Sequence, residues 1–151
     1  MTVPKPHDHT SDHTHDGTGD LLMAAARLVR REYAAALAEW DIAPAQSRAL
    51  RVVASEEGGM RPSMLADHLR IAPRSATEVA DTLEHRGWVV RTADPEDRRA
   101  TRLTLTDEGR GLLDRIEEAR RAAGEQVLGV LSPARRRTLD AILRTVVEGD
   151  Q

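Results

Sequence analysis

Cysteine is absent from the chain, and so is phenylalanine; tyrosine occurs once and tryptophan twice. The first absence excludes disulfides, thiolate metal sites and sensing by thiol oxidation. The scarcity of aromatics leaves Ala, Leu and Val to build the interior, which suits helices packed closely on small residues better than a β-sandwich. Long hydrophobic runs are missing too: nothing approaches the roughly 18 consecutive apolar residues of a membrane span. The opening MTVPKPHDHT lacks the apolar centre of a secretion signal. A cytoplasmic protein with no membrane partner is expected. A surplus of positive charge is also lacking, the net charge being −3, although surfaces that bind nucleic acid are usually basic. The cations are nearly all Arg, which suits bidentate contacts with phosphate and guanine, and several gather between Arg86 and Arg102. At 151 residues, one domain of ordinary size should hold nearly everything.

Residues 1–19 contain four of the six His among Pro, Gly, Thr and Asp, with no apolar periodicity, and are expected to form a disordered arm. Order is expected from Asp20, an N-cap candidate, after which Leu22, Ala26, Val29, Tyr33, Leu37 and Trp40 repeat along one helical stripe. Pro44 starts a second helix with Leu50, Val53 and Ala54 on its inner face, ended by EEGG. A short helix from about Pro62 to Leu69 and the connection RIAP lead to RSATEVADTLEHRG, where Ala76, Val79, Ala80 and Leu83 share a face and Gly87 stops the helix. WVVRTA, the polar turn DPEDRR and ATRLTLT then predict a two-stranded hairpin with a charged tip. Thr106 caps a helix with the stripe Leu112, Ile116, Ala119, Ala123, Val127 and Leu131; Ser132-Pro133 opens a last one lined by Leu139, Ile142, Leu143 and Val146. The predicted class is mainly α with a small β-hairpin.

Two helices joined by a few residues have the dimensions of a helix-turn-helix, whose second helix lies in the major groove. The outward face of that helix would present Arg74, Ser75, Thr77, Glu78, Asp81, Thr82 and His85. Arg74 suits guanine, while Ser75 and Thr77 suit bases or phosphates. Glu78 and Asp81 would repel phosphate, so each is either a specificity device accepting from cytosine or is neutralised by a nearby Arg. The hairpin tip sets Arg98 and Arg99 beside Asp94, Glu96 and Asp97. Alone this would be an exposed salt-bridged turn, but directly behind a helix-turn-helix it favours insertion into a narrow minor groove.

The stretch RIAPRSATEVADTLEHRGWVVRTADPEDRRATRLTLTDEG resembles the winged helix-turn-helix core of MarR-family regulators. The matching positions are Leu83, Glu84 and Gly87, then Asp94, Pro95, Asp97, Arg98 and Arg99, then Leu105, Thr106 and Gly109. The resemblance implies a homodimer, with residues 20–42 and 107–151 as dimerisation helices and 43–106 as the winged module that binds double-stranded DNA. Arg98 and Arg99 would be minor-groove residues, Asp97 orienting Arg99. It also implies a repressor relieved by a small aromatic or anionic effector in a crevice near Trp40, Arg51, Met64 and His68. Ala72 and Glu78 depart from the family pattern, which often has Ser or Thr and a basic residue there, so the details of base reading do not carry over. Independently, the stripes of the first and last helices exceed what one winged module could cover, which points to a partner. Two-fold symmetry would set the recognition helices about one DNA turn, roughly 34 Å, apart on a pseudo-palindromic operator.

Other possibilities are weaker. The arm HDHTSDHTHD has metal-binding side chains, which would make a metal-responsive regulator, but nothing fixes them in a ligand geometry, so no metal or cofactor is expected. An enzyme is disfavoured by the lack of a glycine-rich phosphate loop and of a Gly-x-Ser-x-Gly nucleophile. A helical, dimeric protein-interaction module without DNA binding fits the acidic balance and Glu78.

Overall fold

The computed structural model describes residues 17–97 and 99–149, so the expectations for Arg98 and for nearly all of the His-rich arm lie outside the described residues. Six helices and one hairpin follow in the order α1 Thr18–Ala38, α2 Pro44–Ala54, α3 Pro62–Leu69, α4 Pro73–His85, β1 Val89–Ala93, β2 Thr101–Leu105, α5 Asp107–Leu128 and α6 Pro133–Glu148. Pro44, Pro62, Pro73 and Pro133 each open a helix, where a missing N–H costs nothing and φ is already set. Helix α1 starts at Thr18 behind Gly17, so Asp20 stands in its first turn rather than at the cap, still favourably placed against the helix dipole. The same helix ends at Ala38, which puts Trp40 in the following turn and not on the helical stripe.

Helices α1, α3 and α4 end alike. A residue with positive φ (Asp41 at 53°, Arg70 at 54°, Gly87 at 74°) follows each helix. The next residue then bonds back across the last turn: Ile42 to Leu37 at 3.1 Å, Ile71 to Ala66 at 3.1 Å and Trp88 to Leu83 at 3.0 Å. Two of those three apolar residues, Ile42 and Trp88, are driven into the core by this geometry. Turn chemistry here aims side chains as well as ending helices.

The core gathers Leu37, Leu50, Val53, Leu65, Leu83, Leu103 and Ile116, so the end of α1, the middle of α5, helices α2 to α4 and the hairpin close around one interior. Strands β1 and β2 pair antiparallel with Val89 opposite Leu105 and Ala93 opposite Thr101, and Met60 adds one further rung through Leu103. Gly59 permits that rung, because a Cβ there would lie 2.5 Å from Thr104 Cγ2 at a φ of +92°. Thr106 joins hairpin to α5: its hydroxyl accepts from the Gly109 N–H at 3.0 Å and donates to the Gly87 carbonyl at 2.6 Å. Gly109 lets the start of α5 rest on the Trp88 backbone, since an added Cβ would sit 1.9 Å from the Trp88 carbonyl oxygen.

The beginning of α1 and all of α6 are left uncovered, as stripes longer than one winged module can cover would be. Leu22 is exposed, α6 buries none of its residues, and Ile142 and Val146 are exposed to 55% and 61%. The physical reason is extent: the winged module reaches only the C-terminal part of α1 and leaves α6 with no layer to pack against.

Candidate DNA-binding surface

Helix α4 turns Ala76, Ala80 and Leu83 inward and leaves Arg74, Ser75, Thr77, Glu78, Asp81 and His85 exposed. Its first turn carries no acid, so its N-terminal N–H groups keep their attraction for anions. The Arg74 guanidinium is 91% exposed and lies 3.2 Å from Glu78 one turn on, which partly discharges a carboxylate that would otherwise face phosphate unopposed. Asp81 is paired as well, with Arg91 of β1 at 2.5 Å, and Glu84 grips the same guanidinium. Of the two alternatives open for Asp81, neutralisation by a neighbouring Arg is the one observed. The hydroxyls of Thr77 and Thr82 donate back to the carbonyls of Pro73 at 3.1 Å and Glu78 at 2.8 Å, within the helix itself.

The hairpin tip is organised differently from the sequence expectation. Asp94 does not lie out with Arg99: it is buried, and its carboxylate accepts from Arg61 Nε at 2.6 Å, from Arg102 Nε at 3.0 Å and from the Glu96 backbone N–H at 2.8 Å. Hydrogen bonding to Arg61 first, then to Arg102 and the Glu96 N–H, holds this carboxyl far below the usual carboxylate range. The clamp ties the wing to the N-terminal edge of α3. Sequence reasoning missed Arg61, whose only signal was a position just ahead of Pro62. Asp97 accepts from the backbone N–H of Arg99 at 2.9 Å, shaping the turn rather than holding the Arg99 side chain, and both residues are exposed.

The residues expected to line an effector crevice do not converge. Arg51 is engaged by Glu117 of α5 at 2.5 Å, Met64 and His68 stand exposed on α3, and Trp40 lies under Arg115, 4.3 Å from its ring centre. Trp40 lines two recesses, and neither includes Arg51, Met64 or His68. Among the described residues no cluster of His, Asp and Glu is arranged to hold a metal ion, and no helix is long and apolar enough to cross a membrane.

A short helix pair with an exposed second helix, followed by a hairpin clamped to its side, is a winged helix-turn-helix, the architecture of a large class of DNA-binding proteins. The profile of the MarR family matches residues 43–101, from α2 to the start of β2. Over 125 residues the chain is 32% identical to the HTH-type transcriptional repressor Rv2887 of Mycobacterium tuberculosis, a span that covers 83% of this chain and 89% of the relative. The crystal structure of Rv2887 with salicylic acid superposes with a TM-score of 0.70 at 30% identity, covering 85% of this chain and 95% of that one. The repressor CouR, bound to a 23-mer DNA duplex, gives a TM-score of 0.68 at 30% identity and covers 86% and 92%. The chain belongs to the MarR family.

Proposed function

We propose that this protein is a cytoplasmic, dimeric transcriptional repressor that binds a pseudo-palindromic operator and releases it when a small aromatic or anionic effector binds. The observation that carries this is the pairing of an exposed α4 face, free of acids at its N-terminal turn, with an exposed wing arginine on a hairpin clamped by a buried carboxylate. The α4 residues Arg74, Ser75 and Thr77 would meet base edges and phosphates, with Glu78 steering Arg74 and discriminating against bases without a donor. Arg99, with Arg98 beside it, would enter the minor groove, and Asp97 would set the turn that presents them. Membership of a family whose relatives include a repressor bound to a DNA duplex and another complexed with salicylic acid supports both halves of the proposal.

Residues 43–106 would form the DNA-binding module, and 20–42 with 107–151 the dimerisation helices. The exposed apolar residues Leu21, Leu22 and Met23 of α1 and Ile142, Val146 and Val147 of α6 support a second copy as the partner. No catalytic role is assigned.

Footprinting on DNA flanking the gene tests the proposal. Two protected half-sites about one turn, roughly 34 Å, apart are expected. Replacing Arg99 by Ala should weaken binding and reduce the dependence of log K on log salt by about 1, leaving the protein dimeric. Equal affinity of wild type and Arg99→Ala for the operator at every salt concentration would remove the wing from the interface.

A further inference from the structure

Arg74, Glu78, Asp81 and His85 follow one another along α4 at steps of four, three and four residues, so they form a single stripe on its exposed face. The two acids of that stripe are held differently. Asp81 is drawn off by Arg91 of β1, 2.5 Å away, whereas Glu78 has no partner on another element among the described residues and meets only Arg74. That contact is made side-on, from Arg74 Nε to Glu78 Oε1 at 3.2 Å. It leaves the two terminal nitrogens of the guanidinium and the second carboxylate oxygen for a ligand, on side chains that are 91% and 64% exposed. Beside them, the Thr77 hydroxyl donates to the Pro73 carbonyl, so toward a ligand its oxygen acts as an acceptor.

We propose that Glu78 is a specificity-determining residue: paired with Arg74, it selects operator half-sites in which a cytosine stands next to the guanine that Arg74 reads. This deepens, and rests on, the DNA-binding function proposed above. The terminal nitrogens of Arg74 match the N7 and O6 acceptors of guanine. Glu78 is four residues farther along, about 6 Å on the helix axis. Its carboxylate leans back to within 3.2 Å of Arg74. That separation is close to the roughly 3.4 Å between stacked bases, so the two heads fall on consecutive base pairs. A carboxylate only accepts, and in the major groove only cytosine presents an amino group with no acceptor of its own beside it. Thymine and guanine would set an oxygen against Glu78, and adenine its N7 next to the amino group. Selection therefore acts mainly by exclusion: at a wrong base the carboxylate loses water and gains no donor, which costs more than the right contact returns.

If Glu78 acted only by holding Arg74, truncating it would loosen the guanine contact and lower affinity. Reading a base of its own predicts a different response. Duplexes with a randomised stretch of about 20 base pairs, two helical turns, are selected on the purified protein at low salt, and the enriched sequences are compared between wild type, Glu78→Gln and Glu78→Ala. Wild type should enrich a guanine with a cytosine beside it in each half-site, and exchanging that C·G pair for T·A should weaken binding about tenfold or more. Glutamine offers a donor beside an acceptor, the match for adenine N7 and N6, so Glu78→Gln should move the preference at that one position from cytosine to adenine and leave the guanine in place. Glu78→Ala should lose the preference there while binding random duplex more tightly than wild type, since a negative charge facing phosphate is gone. Circular dichroism should be unchanged in both variants, the side chain being exposed. Enrichment without cytosine next to the guanine, or a Glu78→Ala variant that loses the guanine preference and binds random duplex more weakly, overturns the assignment. Retention of no duplex by wild type at low salt would refute the DNA-binding function and this assignment with it, an outcome distinct from retention without a preference for cytosine.

Discussion

Asp94 shows how much one buried charge can organise. Its carboxylate accepts from two guanidiniums and a backbone N–H, so the base of the wing is held by Arg61 from one side and Arg102 from the other. Because the folded protein holds this group's pKa below its unfolded value, near 3.9 for a free Asp, the clamp contributes fully above that value. The contribution is lost as pH falls from about 4 toward the depressed folded value. Urea unfolding of wild type and Asp94→Asn should therefore show the variant clearly less stable at pH 7, with the gap shrinking steadily as the solution is acidified below about pH 4. A gap independent of pH would mean that the carboxylate charge does not hold the wing. The sequence identified Asp94 as a wing residue, but its partner Arg61 lies 33 positions earlier and becomes a neighbour only through the Met60 rung on β2.

At the level of elements, the junction between hairpin and α5 explains why Thr106 and Gly109 stand where they do. Thr106 both caps α5 and bonds the corner after α4, and Gly109 allows helix backbone to touch strand backbone. In Gly109→Ala a Cβ would meet the Trp88 carbonyl, which has no freedom to retreat, because that same oxygen accepts from the Thr106 N–H at 3.1 Å. Chemical denaturation should show a loss of about 3 kcal/mol or more, at the upper end for overpacking a rigid contact. A loss below about 1 kcal/mol would mean that the junction is soft. The starts of α2 to α6 were legible in the sequence because proline, threonine and serine act within one turn of themselves, whereas α1, without such a signal at Gly17, starts ahead of the expected Asp20. The pairing of Asp81 with Arg91 was not, since it depends on how α4 lies against β1.

For the whole molecule, α6 is the decisive element. A helix that buries nothing gains little from packing in a single chain, and the apolar residues along it and along the start of α1 need another surface. Replacing both Ile142 and Val146 by Asp should turn the proposed dimer into a monomer in sedimentation analysis and lower operator affinity by a factor of ten or more, since two half-sites would no longer be engaged together. Wild-type melting temperature should rise with protein concentration, and the double variant's should not. A double variant that sediments as a dimer would place the interface elsewhere.

The starts of α2 to α6, the hairpin strands, the recognition-type helix and the charged wing tip were determined by the sequence itself, because each depends on periodicity or on chemistry acting over four or five residues. The tertiary structure decided which charges meet. It paired Asp94 with Arg61, set Trp40 beneath Arg115 and engaged Arg51 with Glu117. Those outcomes depend on the angles at which helices cross, and these are set by the summed packing of residues distant in the chain, which no local pattern encodes.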